Sequence, residues 1–173
     1  QYFRETVENE SAEIISINRE QIWDIASSSL RFLYPQHNVA AEAAVPGYPK
    51  SANDNNISII MKLTYGESNL LLAGDAEQPL EEYLVQTYGD TLQSEMLKVS
   101  HHGSGGSSIQ PFIEAVAPDQ AVISVGAENT YGHPSLRVIR RLERAGSRIW
   151  RTDRDGDVRV NIFQNNIEVR SKP

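Results

Sequence analysis

The sequence predicts a layered α/β fold. Three observations carry that expectation. Apolar runs such as 57–63 and 69–73 are near-continuous rather than alternating, as in strands covered on both faces. Other stretches place apolar residues at helical spacing, opened by proline or serine and closed by glycine. The order is strands first, then strand–helix units, then a hairpin, and helices in such an order must cover at least one sheet face. The chain has 173 residues, 39% hydrophobic and 23% charged, the size and balance of one domain with its own core. We expect strands in 1–37, a loop over 38–56 and a strand–helix core over 57–173.

Taken in order, 12–17, 21–25 and 29–33 run apolar or alternate like three short strands, with turns at 18–20 and 26–28. Residues 38–56 hold Pro46, Gly47, Pro49 and the polar run Asn53-Asp54-Asn55-Asn56, a loop by composition and long for a compact domain. Residues 57–65 and 69–73 form a hairpin turned at Gly66-Glu67-Ser68. A helix follows, with Pro79 in its first turn, Leu80, Tyr83 and Leu84 on one face and Gly89 at its stop. Residues 96–100 are the next strand. Ser107 or Ser108 caps a helix through Val116, ended by Pro118, and 121–125 is again a buried strand. Ser135 or the preceding His133-Pro134 opens a third helix with Leu136, Ile139 and Leu142 at helical spacing, stopped by Gly146. The strands 147–152, 158–163 and 166–170 close the chain, with turns at 153–156 and 165–166. Val158, Val160 and Ile162 alternate with polar residues, so this last sheet has one wet face.

Composition excludes several classes. No cysteine is present, which removes disulfides, cysteine zinc sites and thiol nucleophiles. No apolar run approaches the roughly 20 residues of a membrane helix. Gln1 is not a start residue and no basic-then-apolar segment follows it, so the chain reads as a piece of something longer or a processed product. The net charge is −7, unlike a basic duplex-DNA binder. It is uneven: residues 136–173 hold ten Lys/Arg against five Asp/Glu, and 1–135 hold six against eighteen. The cations cluster on the third helix, where Arg137, Arg140, Arg141 and Arg144 form either a face that steers an anionic substrate or an ordinary solvated surface.

Three places carry candidate chemistry. Asp75 ends the run Leu70-Leu71-Leu72-Ala73-Gly74-Asp75. A carboxylate at the tip of an apolar strand is rigidly placed, either to hold divalent cations or to cap the following helix. His101-His102-Gly103-Ser104 follows the strand at 96–100. One imidazole there can ligate a metal while the other touches substrate, and the Gly/Ser loop offers amides to an anion; the alternative is a surface pair. Tyr131-Gly132-His133-Pro134 lies between a buried strand and a helix, with His133 a site residue or a polar cap. His37 reads as loop surface. No Gly-x-Ser-x-Gly elbow, P-loop or dinucleotide fingerprint is present, and a Ser–His–Asp triad would rest on generic residues.

Asn56-Ile57-Ser58, the run ending in Asp75, Leu97-Lys98-Val99-Ser100-His101-His102-Gly103-Ser104, Ile123-Ser124-Val125-Gly126, Asn129, Tyr131-Gly132-His133-Pro134 and Thr152-Asp153 with Gly156 arrive in a set order. In that order they resemble the metallo-β-lactamase-fold domain of the ComEC/Rec2 competence proteins, over 56–163 and more weakly over 3–35. The resemblance implies an αββα sandwich, here its C-terminal half with mixed sheets and about three helices. It further implies a metal-dependent hydrolase of nuclease type acting on single-stranded DNA during uptake. The expected metal ligands are Asp75 and His101, the expected catalytic residues His102, Ser104 and His133, and the expected substrate contacts Arg140 and Arg141. The metal would be zinc or manganese, two ions in the complete domain. The family's first-half histidine–aspartate motif does not occur in this sequence, so metal binding by this piece should be weak or absent. The missing half, or a second copy pairing through exposed sheet edges, would complete the layers. The family places such a domain outside the cytoplasmic membrane in an embedded protein, with soluble secreted relatives as the other setting. Two readings stand beside this one: a non-catalytic scaffold of the same fold that binds nucleic acid, and a hydrolase of another ester.

Overall fold

The computed structural model describes residues 6–7, 10, 13–39, 49 and 54–172. Seven strands form one mixed sheet: β1 (Gln21–Ile25), β2 (Ser28–Tyr34), β3 (Ile60–Tyr65), β4 (Ser68–Leu72), β5 (Met96–Lys98), β6 (Gln120–Ile123) and β7 (Arg148–Arg151), in spatial order 1 to 7. Strands β1 to β4 are an antiparallel meander, and β4 to β7 run parallel. Parallel neighbours need crossovers, supplied by helices α1 (Gln78–Tyr88), α2 (Gln110–Val116) and α3 (Leu136–Arg144). A hairpin of β8 (Asp157–Phe163) and β9 (Asn166–Lys172) forms a second, two-stranded sheet.

The central strands are apolar on both faces because both are covered. On one side Leu71, Leu97, Ala121 and Ile123 meet Leu80 and Leu84 of α1, Phe112, Ile113 and Val116 of α2, and Val138 and Leu142 of α3. On the other, Met96, Val122 and Trp150 pack under Val158, Val160, Ile167 and Val169 of the hairpin. The layers are therefore helix, mixed sheet and hairpin, and the expected α/β class stands.

Several expected boundaries shift. Residues 13–17, within the expected strand 12–17, form no strand, and Ile14 and Ile15 stay exposed. No neighbouring strand pairs them, and an apolar run without a ladder partner gains nothing by extending. Part of the expected loop 38–56 lies outside the described residues; within it Asp54–Ile57 forms a 3-10 turn. The expected turn at 153–156 is a short helix, α4 (Thr152–Asp155). α2 starts later than a serine cap predicts, with Ile109 at its N-cap and no capping side chain of its own. The amides of Ser108 and Ile109 are instead taken by the Glu81 carboxylate, reaching across from α1. Asp75 does not cap α1 either; Glu77 occupies that position. Ser135 caps α3 as expected, accepting from the Arg137 amide at 3.3 Å.

Candidate functional site

In open sheets with parallel strands, ligands sit beyond the strands' carboxyl ends, where loops diverge. Here β4 runs into Gly74-Asp75, β5 into His101-His102 and β6 into the loop carrying Asn129, Tyr131 and His133. Asp75, His101, His102, Tyr131 and His133 line one open hollow of about 290 Å³. A second, of about 410 Å³, adjoins it and shares His102, Tyr131 and His133, its other walls being Ser124, Val125, Gly126, Asn129 and Thr152.

Each group is held by its own backbone. Gly74 lies at φ +52°, and a Cβ there would stand 2.7 Å from the Ser58 Cβ, so only glycine lets the chain pass that close to Ser58. Ser58 Oγ then accepts the Asp75 amide at 3.0 Å and Asn56 Oδ1 the Glu77 amide at 3.2 Å. This accounts for the Asn56-Ile57-Ser58 motif: it braces the turn that presents Asp75.

Strand β5 ends at Lys98, and His101 and His102 both adopt left-handed backbone (φ 44° and 53°). Two consecutive non-glycine residues there are uncommon and cost of order 1–3 kcal/mol each. The twist sets the two rings 67° apart with centroids at 6.3 Å. It also fixes the pairing with Asp75. His102 Nε2 lies 3.6 Å from Asp75 Oδ1, whereas His101 turns its Nδ1 to Glu77 Oε1 at 3.3 Å. Sequence reasoning set His101 beside Asp75; the structure sets His102 there.

The tautomer of His102 follows from its other nitrogen. His102 Nδ1 donates to the Ser124 carbonyl at 2.6 Å, since a carbonyl only accepts. In the neutral ring Nε2 therefore carries the lone pair, aimed at a carboxylate. Two acceptors face to face require a proton or another cation between them. His101 Nδ1 is buried and makes no hydrogen bond, although Glu77 Oε1 lies 3.3 Å away. His133 stands with its ring centroid 5.7 Å from that of His101. Burial, then the neighbouring His101 and His102, hold its pKa below the usual imidazole value. Lys98 Nζ approaches Asp75 Oδ1 at 4.0 Å and donates to the Gly74 carbonyl at 3.1 Å. Burial lowers its pKa, and Asp75 opposes that.

Three expected site residues fall elsewhere. Ser104 is not in either hollow's wall. Its Oγ accepts the Gly106 amide at 3.4 Å and its carbonyl the Ser107 hydroxyl at 2.9 Å, so the hydroxyl is spent on the turn. Arg141 Nη1 donates to the carbonyls of Ser107 and Ser108 at 3.2 and 2.9 Å, binding α3 to that loop rather than facing solvent. Arg140 is exposed on α3 and lines neither hollow.

No protein-family model matches the chain. Among curated proteins it is 32% identical to the competence protein ComA of Neisseria gonorrhoeae over 151 residues, which are 87% of this chain and 20% of ComA. It is 35% identical to ComE operon protein 3 of Bacillus subtilis over 122 residues, 70% of this chain and 16% of that protein. It is 34% identical to recombination protein 2 of Haemophilus influenzae over 148 residues, 86% of this chain and 17% of that protein. The chain belongs to the ComEC/Rec2 family of competence proteins. This ComEC/Rec2 segment spans a fifth or less of the length of those relatives. Among its described residues no helix is long and apolar enough to cross a membrane.

One support of these hollows, Glu81, escaped sequence reasoning, and a second, Asn129, stood in the motif order without a role. Glu81 is fully buried. Its carboxylate accepts from Ser100 Oγ at 2.7 Å and from the Ser108 and Ile109 amides at 2.7 and 2.8 Å, clamping both ends of the histidine loop. Burial pushes its pKa up to about 7, against those hydrogen bonds and nearby Arg141. Asn129 closes the other loop. Its Nδ2 donates to the Gly126 and His133 carbonyls at 3.0 and 2.9 Å, and its Oδ1 accepts the His133 amide at 2.9 Å. The two loops meet at Gly103, φ +79°, where a Cβ would lie 2.7 Å from the Pro134 Cβ, while the Gly103 carbonyl accepts the Ser135 amide at 2.8 Å. Thr152 Oγ1 bonds both the amide and the carbonyl of Val125, a role its place after β7 signals only weakly.

Proposed function

We propose that this chain is the C-terminal half of a metallo-β-lactamase-like domain that hydrolyses phosphodiester bonds of single-stranded DNA during uptake for competence. The observation that carries the reading is the convergence of Asp75, His101, His102 and His133 on one hollow, with the His102 Nε2 lone pair and the Asp75 carboxylate facing each other. The names of the relatives, competence and recombination proteins, supply the DNA. The mixed sheet between helices and a hairpin suits a sandwich whose second sheet gains strands from the rest of the longer protein. That protein then supplies any membrane anchor, with this domain outside the cytoplasmic membrane.

One carboxylate oxygen and one imidazole nitrogen suit zinc or manganese. They fit as part of a site and fall short of the three protein ligands of a catalytic zinc. Among the described residues no group of three or more His, Asp or Glu side chains comes together for an ion. Asp75 and His102 are thus the ligands this half contributes, and the remaining ligands come from the rest of the full-length protein. A divalent cation there would acidify a bound water and polarise a phosphoryl oxygen. The chain's own residues do the rest. The Ser124 carbonyl holds His102 in its ligating tautomer. Lys98 offsets the Asp75 charge. His133, biased toward its neutral form, takes the proton that the attacking water loses and returns it to the leaving oxygen.

The test uses the full-length protein, manganese and an end-labelled single-stranded oligonucleotide. Asp75→Asn and His102→Ala should each cut metal-dependent cleavage at least about 100-fold. Cleavage surviving both changes, or none in the wild type, overturns the reading. The two-ligand count favours one rival, a scaffold that binds the oligonucleotide in chelator and never cleaves it.

A further inference from the structure

Tyr131 is 82% exposed, the most exposed of the large hydrophobic side chains among the described residues. A lone exposed aromatic is ordinary, but this one is neither mobile by construction nor remote. Its ring stacks on His133, centroids 5.9 Å apart and planes at 22°. Asn129 pins the loop on both sides of it through the Gly126 and His133 carbonyls and the His133 amide. Pro134, next along, rests on Gly103. The outer ring face is thus held open to solvent on a braced loop. Tyr131 also stands between the two hollows, as a wall of each. One hollow holds the Asp75 carboxylate. The other shares the His102 and His133 imidazoles and is otherwise walled by Ser124, Val125, Gly126, Asn129 and Thr152, with no carboxylate, lysine or arginine.

We infer that Tyr131 is a nucleobase platform: a base of an unpaired strand stacks on its open face, in the hollow walled by Val125 and Thr152, while the adjoining phosphate lies in the hollow of Asp75. This rests on the phosphodiester reading above and names the residue that would hold the base of that substrate. A phosphate beside an aromatic step is the repeat of a nucleic-acid strand. Only an unpaired strand can offer a base face, because a duplex spends its base faces on one another. Base–aromatic stacking of this kind tolerates any base, so the site would select strandedness rather than sequence.

The experiment measures binding by the full-length protein in chelator, so that nothing is cleaved, using fluorescent oligothymidylate and a phosphodiester oligomer of equal length without bases. Wild type should bind the base-bearing oligomer more tightly. Tyr131→Leu should lose about tenfold on oligothymidylate and nothing on the abasic oligomer, and Tyr131→Phe, which keeps the ring, should bind both as wild type does. Unchanged oligothymidylate affinity in Tyr131→Leu, or equal loss on both oligomers, overturns the platform. If manganese-dependent cleavage persists in that variant, the hydrolase reading survives the platform's failure. No binding of either oligomer by wild type in chelator also overturns the platform, and manganese-dependent cleavage then decides the hydrolase reading by itself.

Discussion

Glu81 shows how one residue's burial reaches the site. Free in an unfolded chain it ionises near 4.5; folded, near 7. The native state therefore holds the proton more tightly, and the stability contributed by this group is full below about 4.5 and is lost as pH rises through 7. Glu81→Gln removes the titration and leaves one of the three amide or hydroxyl donors facing an NH2, at a cost of about 1–3 kcal/mol. Urea unfolding should find the variant less stable at pH 5 and its loss between pH 5 and 8 smaller than in the wild type. The side chains lining the hollow were legible: Asp75 ends an apolar strand beside a glycine, and His101, His102 and His133 sit in Gly/Pro turns between apolar strands and helices. Glu81 was not, because nothing in a helical period marks which carboxylate, flanked by buried Leu80 and Leu84, will meet an amide 27 residues away.

At the scale of elements, the loop from β6 to α3 depends on Asn129. Three side-chain bonds do what a regular ladder would. Asn129→Ala should leave the sheet intact while the His133 amide, which Asn129 Oδ1 accepts, exchanges at least about tenfold faster in hydrogen exchange read residue by residue; unchanged His133 protection would contradict the clamp. Helix positions were readable from spacing and stop signals, as Leu80, Leu84 and Leu142 confirm by their burial, but Leu136, expected on the same face as Leu142, is 71% exposed and Val138 is buried instead. The start of α2 was not, since its amides are satisfied by another helix. Nor was the failure of 13–17 to form a strand, because a local apolar run cannot announce that no neighbour will pair with it.

Over the whole molecule, stability is graded across the sheet. β5 and β6 are interior strands with Leu97, Ala121 and Ile123 fully buried. β1 is an edge, with Ile22 and Ile25 more than half exposed. Amides of β5 and β6 should exchange last and those of β1 first; equal protection in β1 would mean that this edge is covered in solution. Such a cover agrees with a chain that spans a fifth or less of its relatives.

Local chemistry in the sequence by itself determined where most of the strands and helices lie, which class of fold they build and which carboxylate and imidazoles follow the strand tips, because period, turn residues and apolar runs act over a few neighbouring positions. Only the tertiary structure decided that His102 rather than His101 meets Asp75, that Ser104 and Arg141 serve the backbone, and that Glu81 and Asn129 hold the two loops. Those choices turn on backbone angles and on contacts made across crossovers, where residues far apart in the chain become neighbours through packing that no short stretch encodes.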